Sequence, residues 1–185
     1  MPDDPSIHRR RSIRLPGYDY TQPGAYSVTI DTHRHRNLFG KITNGEMRLN
    51  EWGKIAHAEW LKTAVVRPEI TLDEFKIMPN HMHGIIMIMD VDFVGARRRR
   101  APTTAEQFGR PVSGSIPTII RAYKSAVTYC INRTRRTTGA PLWQRNYYEH
   151  VIRNEHDLSR IREYIRNNPM RWELDMGNGG DPTGM

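Results

Sequence analysis

The sequence predicts a domain of the α+β class, because segments typical of strands and of helices are mixed along its 185 residues. Short runs rich in β-branched and aromatic residues indicate strands. Longer runs with apolar residues three and four positions apart indicate helices. The dipeptide Asn44-Gly45 between two short strand-like runs indicates a tight hairpin. A chain of this length fits one domain, which we expect to extend over 1–172.

The first half of the chain contains most of the predicted strands. These strands are expected at 25–31, 38–42, 46–49, 71–78 and 81–89. Asn50 is a good N-cap residue, so a helix should begin after it and continue to about Val65. Pro68 should end that helix, and Pro79 should separate the last two strands, because proline supplies no backbone donor.

The second half contains two predicted helices and one strand. A helix should begin at Ser115, with Pro117 in its first turn. Its apolar stripe consists of Ile119, Ile120, Tyr123, Ala126, Val127 and Cys130. A strand at 147–152 follows. The last helix should begin after its cap residue Asn154 and should stop at Pro169.

Two segments carry no such pattern. Residues 90–114 contain four consecutive arginines followed by proline and glycine residues, which is typical of a mobile basic loop. Residues 173–185 are rich in glycine, aspartate and proline, and we expect them to form a flexible tail.

Charge and composition restrict the class of protein. The formal net charge is +8 and the isoelectric point about 9.9, which favours a polyanionic partner such as nucleic acid or an anionic membrane surface. No apolar run approaches the roughly 18 residues of a spanning helix, and the polar N-terminus does not resemble a secretory signal. Cys130 is the only cysteine, which excludes an internal disulfide and a cysteine-based zinc site. We expect a cytoplasmic protein associated with the nucleoid.

The stretch "MPNHMHGIIMIM" places two histidines at the start of an apolar strand. Residues two apart in a strand point to the same face, so His81 and His83 should project together while Met82 points away. Two neutral imidazoles in this arrangement can hold one divalent metal ion. Histidines at the edge of a strand, with no metal, fit the same spacing equally well.

The stretch "SRIREYIRNNP" places further polar groups on the last helix. The stripe expected to face the core consists of Leu158, Ile161 and Ile165. Tyr164 lies beside that stripe, with Arg160 four residues before it and Asn168 four residues after it. A phenol, a guanidinium and an amide can therefore face one site. A tyrosine at the edge of the core and an asparagine at the helix end explain the same spacing.

Three segments in this order, "MPNHMHGIIMIM", "WQRNYYEHVIRN" and "REYIRNNP", resemble the single-tyrosine HUH transposases. They are most similar to the REP-associated tyrosine transposases (RAYT), domesticated relatives encoded beside bacterial palindromic repeats. The segment "RRRSIRLPGYDYTQPGAYSVTI" resembles the opening of the same group, so the similarity extends from about Arg9 to Trp172. It implies a central antiparallel sheet flanked by helices, the ferredoxin-like or RRM-like arrangement of HUH nucleases. The histidine pair would lie on a middle strand and the tyrosine on a helix.

The resemblance also implies a catalytic site. His81 and His83 would be metal ligands, Asn168 the third ligand, and Tyr164 the nucleophile. Mg²⁺ or Mn²⁺ would be the cofactor, since the tetrahedral preference of zinc suits a phosphate-binding site less well. Tyr164 would attack the scissile phosphate of single-stranded DNA beside a hairpin and leave a 5′-phosphotyrosine and a free 3′-OH. That link keeps the phosphodiester energy, so the strand can be rejoined without ATP.

The basic residues supply candidate contacts to DNA phosphates. The candidates are Arg9, Arg10, Arg11, Arg14, Arg97, Arg98, Arg99, Arg100, Arg121, Lys124 and Arg145, with Arg133, Arg135 and Arg136 as further ones. Bases could stack on Tyr18, Tyr20 or Trp143, although core packing of Trp143 is the simpler interpretation. Tyr147 and Tyr148 are rival nucleophiles.

Other classes of function fit parts of the sequence. A DNA-binding regulator could have the same fold and no activity. A metallohydrolase of the His-x-His-x-Asp-His kind is disfavoured, because Gly84-Ile85-Ile86 follows the histidine pair. A basic RNA-binding module would require neither a metal nor a tyrosine. We expect a monomer rather than a homodimer.

Overall fold

Six strands and three helices make up the parts of the chain that the computed structural model describes, residues 18–90 and 112–177. The strands are β1 (Gly24–Asp31), β2 (Gly40–Thr43), β3 (Glu46–Leu49), β4 (Ile70–Ile77), β5 (His81–Ile88) and β6 (Tyr148–Ile152). The helices are α1 (Glu51–Val65), α2 (Ile116–Thr134) and α3 (Glu155–Gly177). A short 3₁₀ turn at His33–His35 joins β1 to β2.

Four strands form an antiparallel sheet in the order β4-β5-β1-β6, and β2 and β3 form a separate hairpin. The hairpin turns at Asn44 and Gly45, which both have positive φ, as a two-residue turn of this kind requires. Helices lie on both faces of the larger sheet, which confirms the predicted α+β fold with a central antiparallel sheet.

The two faces of β5 have different partners. Met82 and Ile86 point into the larger core, which also contains apolar residues of α1 and α2. Gly84 is on the same face, and glycine is needed there because Trp60 of α1 occupies the space that a side chain would take. A Cβ at Gly84 would lie 2.5 Å from the indole ring. Ile85 points to the opposite face and packs with apolar residues of α3. His81 and His83 alternate with Met82 and therefore share the face that α3 covers.

The predicted caps Asn50 and Asn154 are confirmed, and Ser115, predicted to begin a helix, is also an N-cap. The side-chain oxygens of Asn50, Ser115 and Asn154 each accept a hydrogen bond from the backbone N–H three residues later. These bonds satisfy donors that the first helical turn leaves unpaired.

The prediction that Pro169 stops the last helix is wrong, because α3 continues through it to Gly177. An interior proline removes one backbone hydrogen bond at a cost of roughly 3 kcal/mol or more. Packing offsets that cost here. Asn168 and Pro169 are buried, and the ring of Trp172 lies 5.5 Å from the His81 ring. The turns on both sides of the proline are therefore held against the sheet.

Two predicted segments lie mainly outside the described residues. Most of the basic loop 90–114 falls on 91–111, and residues 178–185 of the expected tail are also outside. Residues 173–177 belong to α3. In the described ranges, no helix is both long and apolar enough to cross a membrane.

Candidate metal centre and nucleophile

The histidine pair lies at the first residues of β5, under α3. His81 and His83 are 9% and 7% exposed, and their Nε2 atoms are 2.9 Å apart. Neighbouring ligands around an octahedral ion with bonds of about 2.0–2.1 Å are separated by about 3 Å. The strand therefore brings two imidazole nitrogens to a separation suited to one metal ion.

Two hydrogen bonds orient the imidazoles. Asn80 Oδ1 lies 2.7 Å from His81 Nδ1, and Thr29 Oγ1 on β1 lies 2.8 Å from His83 Nδ1. An amide oxygen only accepts hydrogen bonds, so His81 Nδ1 carries the proton and its Nε2 presents a lone pair to the site. Such partners fix the tautomer and direction of a ligating histidine. Thr29 was not predicted as a partner, because nothing in the local sequence shows which residue of β1 will pair with His83 on the neighbouring strand β5.

Burial keeps both imidazoles neutral. Burial lowers the pKa of His83 to about 4. The pKa of His81 is also well below its ordinary value, first because of burial and then because of the neighbouring charges of His83 and His35. Desolvation disfavours the charged form of a histidine. Both nitrogens are therefore available as ligands at neutral pH.

Asn168 of α3 completes a set of three possible ligands. Its side chain is 6% exposed, and its Nδ2 lies 3.4 Å from His83 Nε2. Its Oδ1 is buried and has no hydrogen-bond partner among the described residues. A half-turn of the amide would exchange the two atoms and direct the oxygen to the histidine nitrogens. A buried carbonyl oxygen without a donor is suited to a cation, so these residues fit Mg²⁺ or Mn²⁺.

The metal set depends on this amide. In the described part of the chain, no group of three or more histidine, cysteine, aspartate or glutamate side chains could hold a metal ion. Two imidazoles and an amide are all uncharged, so a bound divalent ion would keep its full charge for an anionic substrate.

Tyr164 lies next to the histidine pair. Its ring is half-buried and meets the His83 ring edge to face, with the ring centres 5.3 Å apart. Arg171 lies over the Tyr164 ring, with Cζ 5.8 Å from the ring centre. Tyr164, Asn168 and Arg171 are spaced four and three residues apart, so one face of α3 supplies all three. The phenol is thus adjacent to the candidate metal ligands.

The prediction that Arg160 faces this site is wrong. Its guanidinium is exposed and donates to Asp157 Oδ1 at 2.6 Å, one turn earlier on the same helix. Arg171 lies beside Tyr164 instead. Residues four positions before Tyr164 and four positions after it lie equally close to it on the helix surface. Only the packing of α3 on the sheet decides which of these two turns lies over the histidine pair.

The rival tyrosines lie farther from the pair. Tyr148 pairs with Thr29 across β6 and β1, so it points to the same face as His83 with β1 between them. Tyr147 donates to Glu149 Oε2 at 2.6 Å. His150, also on that face, contacts Asp157 Oδ2 at 2.8 Å and thereby connects β6 to α3.

An irregular stretch of β4 holds α3 in place. The pairing of β4 with β5 slips by one residue between Leu72 and Phe75, so Asp73 and Glu74 lie in a β-bulge. A bulge changes the direction of the side chains around it. Here it allows two consecutive carboxylates to point toward the same helix.

Both carboxylates pair with arginines that flank the tyrosine. Arg162 Nε and Nη2 donate to the two oxygens of Asp73 at 2.9 and 2.6 Å, and Arg166 Nε donates to Glu74 Oε2 at 2.6 Å. A guanidinium that bridges both carboxylate oxygens fixes orientation as well as distance. These contacts tie α3 to the sheet two residues before and two residues after Tyr164.

We predict that these ion pairs between β4 and α3, Arg162–Asp73 and Arg166–Glu74, act as a clamp that sets the position of Tyr164. Arg162→Gln should slow any reaction of Tyr164 by about 10- to 100-fold, because small misplacements of reacting groups have large effects on rate. The rate should be restored in part when Asp73→Arg is combined with Arg162→Asp. Arg160→Gln is the matched control on the same helix. Equal rate losses in Arg160→Gln and Arg162→Gln would contradict the prediction.

The clamp also predicts a pH dependence of stability. Hydrogen bonds from Arg162 hold the pKa of Asp73 below its ordinary value, against the opposing effect of burial. Because the pKa is lowered on folding, the pair stabilises the protein above the unfolded value of about 3.9. That contribution is lost as the pH falls through the lower folded value. The Asp73→Asn variant lacks this carboxylate, so its stability should fall less than that of the wild type as the pH decreases. If both proteins unfold in acid at the same pH, the Arg162–Asp73 pair does not contribute to stability in this way.

The described basic candidates for DNA contacts lie on α2, at its end and in the segment that follows it. Arg121 and Lys124 lie on α2, on the face opposite to the histidine pair. Lys124 Nζ lies 2.6, 3.2 and 3.5 Å from the backbone oxygens of Gln144, Arg145 and Asn146, and burial lowers its pKa to about 8. It therefore supports the segment that carries the exposed Arg145.

The remaining candidates have different surroundings. Trp143 and Tyr20 are buried in the larger core, whereas Tyr18 is half-buried at its edge. Arg135 donates to Asn132 Oδ1 and Ala140 O. The other candidates of α2 and its end, Arg133 and Arg136, are exposed. The arginines at 9–14 and 97–100 lie outside the described residues.

Two of three comparisons with known proteins found proteins similar to this chain. No family model matches it. A protein of Haemophilus influenzae, described as uncharacterized, is 41% identical over 170 residues, which cover 91% of this chain and 93% of that protein. Among solved structures, a REP-associated tyrosine transposase bound to a REP hairpin is similar, with a TM-score of 0.57 and 19% identity. That match covers 85% of this chain and 73% of the other, and it shows that the two folds are alike.

Proposed function

We propose that this chain is a metal-dependent transposase acting on single-stranded DNA. It belongs to one family with the Haemophilus influenzae protein and has the fold of the REP-associated tyrosine transposase. It would nick and rejoin DNA next to palindromic hairpins. One observation carries the proposal: the Tyr164 ring lies 5.3 Å from His83, beside two neutral imidazoles and a buried amide oxygen without a donor. A nucleophile and a metal set are thus adjacent.

His81, His83 and Asn168 would hold the ion. When bound, Mg²⁺ or Mn²⁺ would polarise the scissile phosphate and offset the negative charge that develops on it. Asn80 directs the lone pair of His81 into the site, and Thr29 fixes the orientation of the His83 ring. The close packing of α3 over β5 would exclude water from one side of the phosphate.

Tyr164 would supply the covalent step. Its phenolic oxygen loses its proton to solvent at the edge of the site and forms a bond to phosphorus. The bond from phosphorus to the 3′ oxygen breaks, and that oxygen takes up a proton from water. The products are a 5′-phosphotyrosine and a free 3′-OH. Attack by a 3′-OH on the phosphotyrosine reverses these bond changes and rejoins the strand.

The metal ligands and the nucleophile come from one chain. The Arg162–Asp73 pair joins α3 to the sheet that carries the histidines. This arrangement supports activity as a monomer. Hairpin DNA is the proposed partner, because the similar transposase is bound to a REP hairpin. A single strand at the cleaved position leaves the phosphate accessible to a half-buried tyrosine.

The test is to incubate the purified protein with labelled single-stranded oligonucleotides that carry the palindromes nearest its gene. Mg²⁺ or Mn²⁺ should produce a labelled covalent protein–DNA adduct on denaturing gels, and EDTA should prevent it. Tight hairpin binding without an adduct under either metal would overturn the proposal. It would support a DNA-binding regulator of the same fold instead.

A further inference from the structure

The turn between β1 and β2 presents three basic side chains. Arg34, His35 and Arg36 are all exposed, and neither arginine forms an ion pair with a described residue. Asp31 is the acidic side chain that the described residues place at this turn, with Oδ1 3.8 Å from His35 Nδ1. The turn therefore carries an excess of positive charge.

The backbone holds these side chains in a costly conformation. Arg34 and His35 both have left-handed backbones, with φ of 58° and 49°, which residues other than glycine rarely adopt. The turn is held at both ends: Thr32 Oγ1 donates to Arg36 O at 2.8 Å, and His33 N donates to Leu142 O at 2.8 Å. Strained backbone of this kind persists where the surrounding structure imposes it, and it is often found beside functional sites.

The turn is directly connected to the metal centre. Asn80 Nδ2 donates to His35 O at 3.3 Å, while the same amide contacts His81 through its oxygen at 2.7 Å. Asp31, at the end of β1, pairs with His81 in the sheet. Gln144 Nε2 lies 2.7 Å from His35 Nε2 and connects the turn to the segment carrying Arg145. One buried side chain thus separates the basic turn from the first candidate ligand.

The charges of a nucleic acid strand require such a surface. The metal set is uncharged, so a bound divalent ion would offset the scissile phosphate and one further negative charge, whereas each additional nucleotide of the strand adds another. Guanidinium and imidazole groups are good donors to phosphate oxygens. Contacts of this type fix the position of a strand without reading its sequence.

We infer that the turn His33–Arg36 binds the sugar-phosphate backbone of the single strand that flanks the scissile phosphate. The inference deepens the proposed function and rests on it. Arg34 and Arg36 neutralise flanking phosphates, and His35 donates to one of them through Nδ1, because its Nε2 accepts from Gln144. The strand then passes from the turn across the end of β1 to the histidine pair and Tyr164.

The first experiment compares two charge-matched double variants. Arg34→Gln/Arg36→Gln removes two cations from the turn, and Lys54→Gln/Lys62→Gln removes two from α1, which packs on the face of the sheet opposite to the histidine pair. Binding to a labelled single-stranded oligonucleotide is measured by fluorescence anisotropy over a range of salt concentrations, in a Tyr164→Phe background so that no strand is cut. Each lost phosphate contact should reduce the slope of log K against log salt by about 0.7. We expect a reduction of about 1.4 in the turn variant only; equal slopes in both variants overturn the inference.

A second variant separates binding from folding. Arg34→Gly removes one cation and also relieves the left-handed backbone. DNA binding should weaken while the melting temperature stays the same or rises. Weaker binding with a lower melting temperature would mean that Arg34 acts through the fold, and the inference would be withdrawn.

The two proposals fail in different ways. If the otherwise wild-type protein forms no adduct but the turn variant shows the reduced slope, the turn binds DNA and the enzymatic proposal fails. If the adduct forms and the turn variant binds DNA as tightly as the control at every salt concentration, the enzymatic proposal holds and the turn is not a contact.

Discussion

Tyr164→Phe is expected to abolish the covalent protein–DNA adduct, by at least about 10⁴-fold in rate, and to leave hairpin binding unchanged. The phenolic oxygen is the atom that would bond to phosphorus, and phenylalanine lacks it. The ring itself is retained, so its edge-to-face contact with His83 at 5.3 Å should persist. Loss of the adduct would then reflect chemistry rather than folding. Denaturing gels report the adduct, and gel shifts of the same samples report binding.

Tyr148→Phe is the matched control for this experiment. Tyr148 lies on the same face of the sheet and is 50% exposed, but β1 separates it from His83. Removing its oxygen should leave the adduct at the wild-type level. An adduct that persists in Tyr164→Phe and disappears in Tyr148→Phe would place the nucleophile on β6 and refute the assignment to α3.

Local signals in the sequence were enough to predict most of the fold. Asn50, Ser115 and Asn154 begin helices because their side chains satisfy backbone donors three residues ahead, an interaction that needs no tertiary contact. The shared direction of His81 and His83 follows in the same way from the two-residue period of a strand. Such features are determined within a few residues of chain, so periodicity and capping residues reveal them.

Features determined by packing were not predictable in this way. Pro169 is tolerated inside α3 because it and Asn168 are buried against the sheet, and burial is not a property of the local sequence. Thr29 became a partner of His83 through strand register, and the carboxylates of Asp73 and Glu74 reached α3 through a bulge. The resemblance of three motifs to transposases supplied the candidate site residues, and the structure then showed which side chains contact them.

The candidate site is formed by one strand, β5, and one helix, α3. β5 would provide two ligands from a strand that is almost entirely buried, and a single face of α3 would provide the third ligand and the phenol. The distance between ligand and nucleophile therefore depends on how one helix is fixed to one sheet. The clamp between β4 and α3 and the contact of His150 with Asp157 are the contacts that fix it. Their effects should appear in the rate of adduct formation more than in DNA binding.

His83→Gln should have the second-largest effect on activity. The variant removes an imidazole whose Nε2 lies near both His81 Nε2 and the Asn168 amide, so it disturbs two of the three pairs in the proposed ligand set. We expect metal-dependent adduct formation to fall by at least about 10³-fold, because charge stabilisation at a developing transition state contributes several kcal/mol. Calorimetric titration with Mn²⁺ should show a matching loss of affinity.

A graded series makes this prediction specific to the ligand set. Thr29→Val keeps the imidazole and removes only its hydroxyl partner, so it should reduce metal affinity or activity by about 10- to 100-fold. His150→Gln removes an imidazole on the same face that contacts Asp157 instead, and its Mn²⁺ affinity should match that of the wild type. If His83→Gln retained full Mn²⁺ affinity while EDTA still blocked the adduct, the ion would have to bind elsewhere. The histidine pair would then be a buried structural feature of β5, and the proposed mechanism would lose its metal ligands.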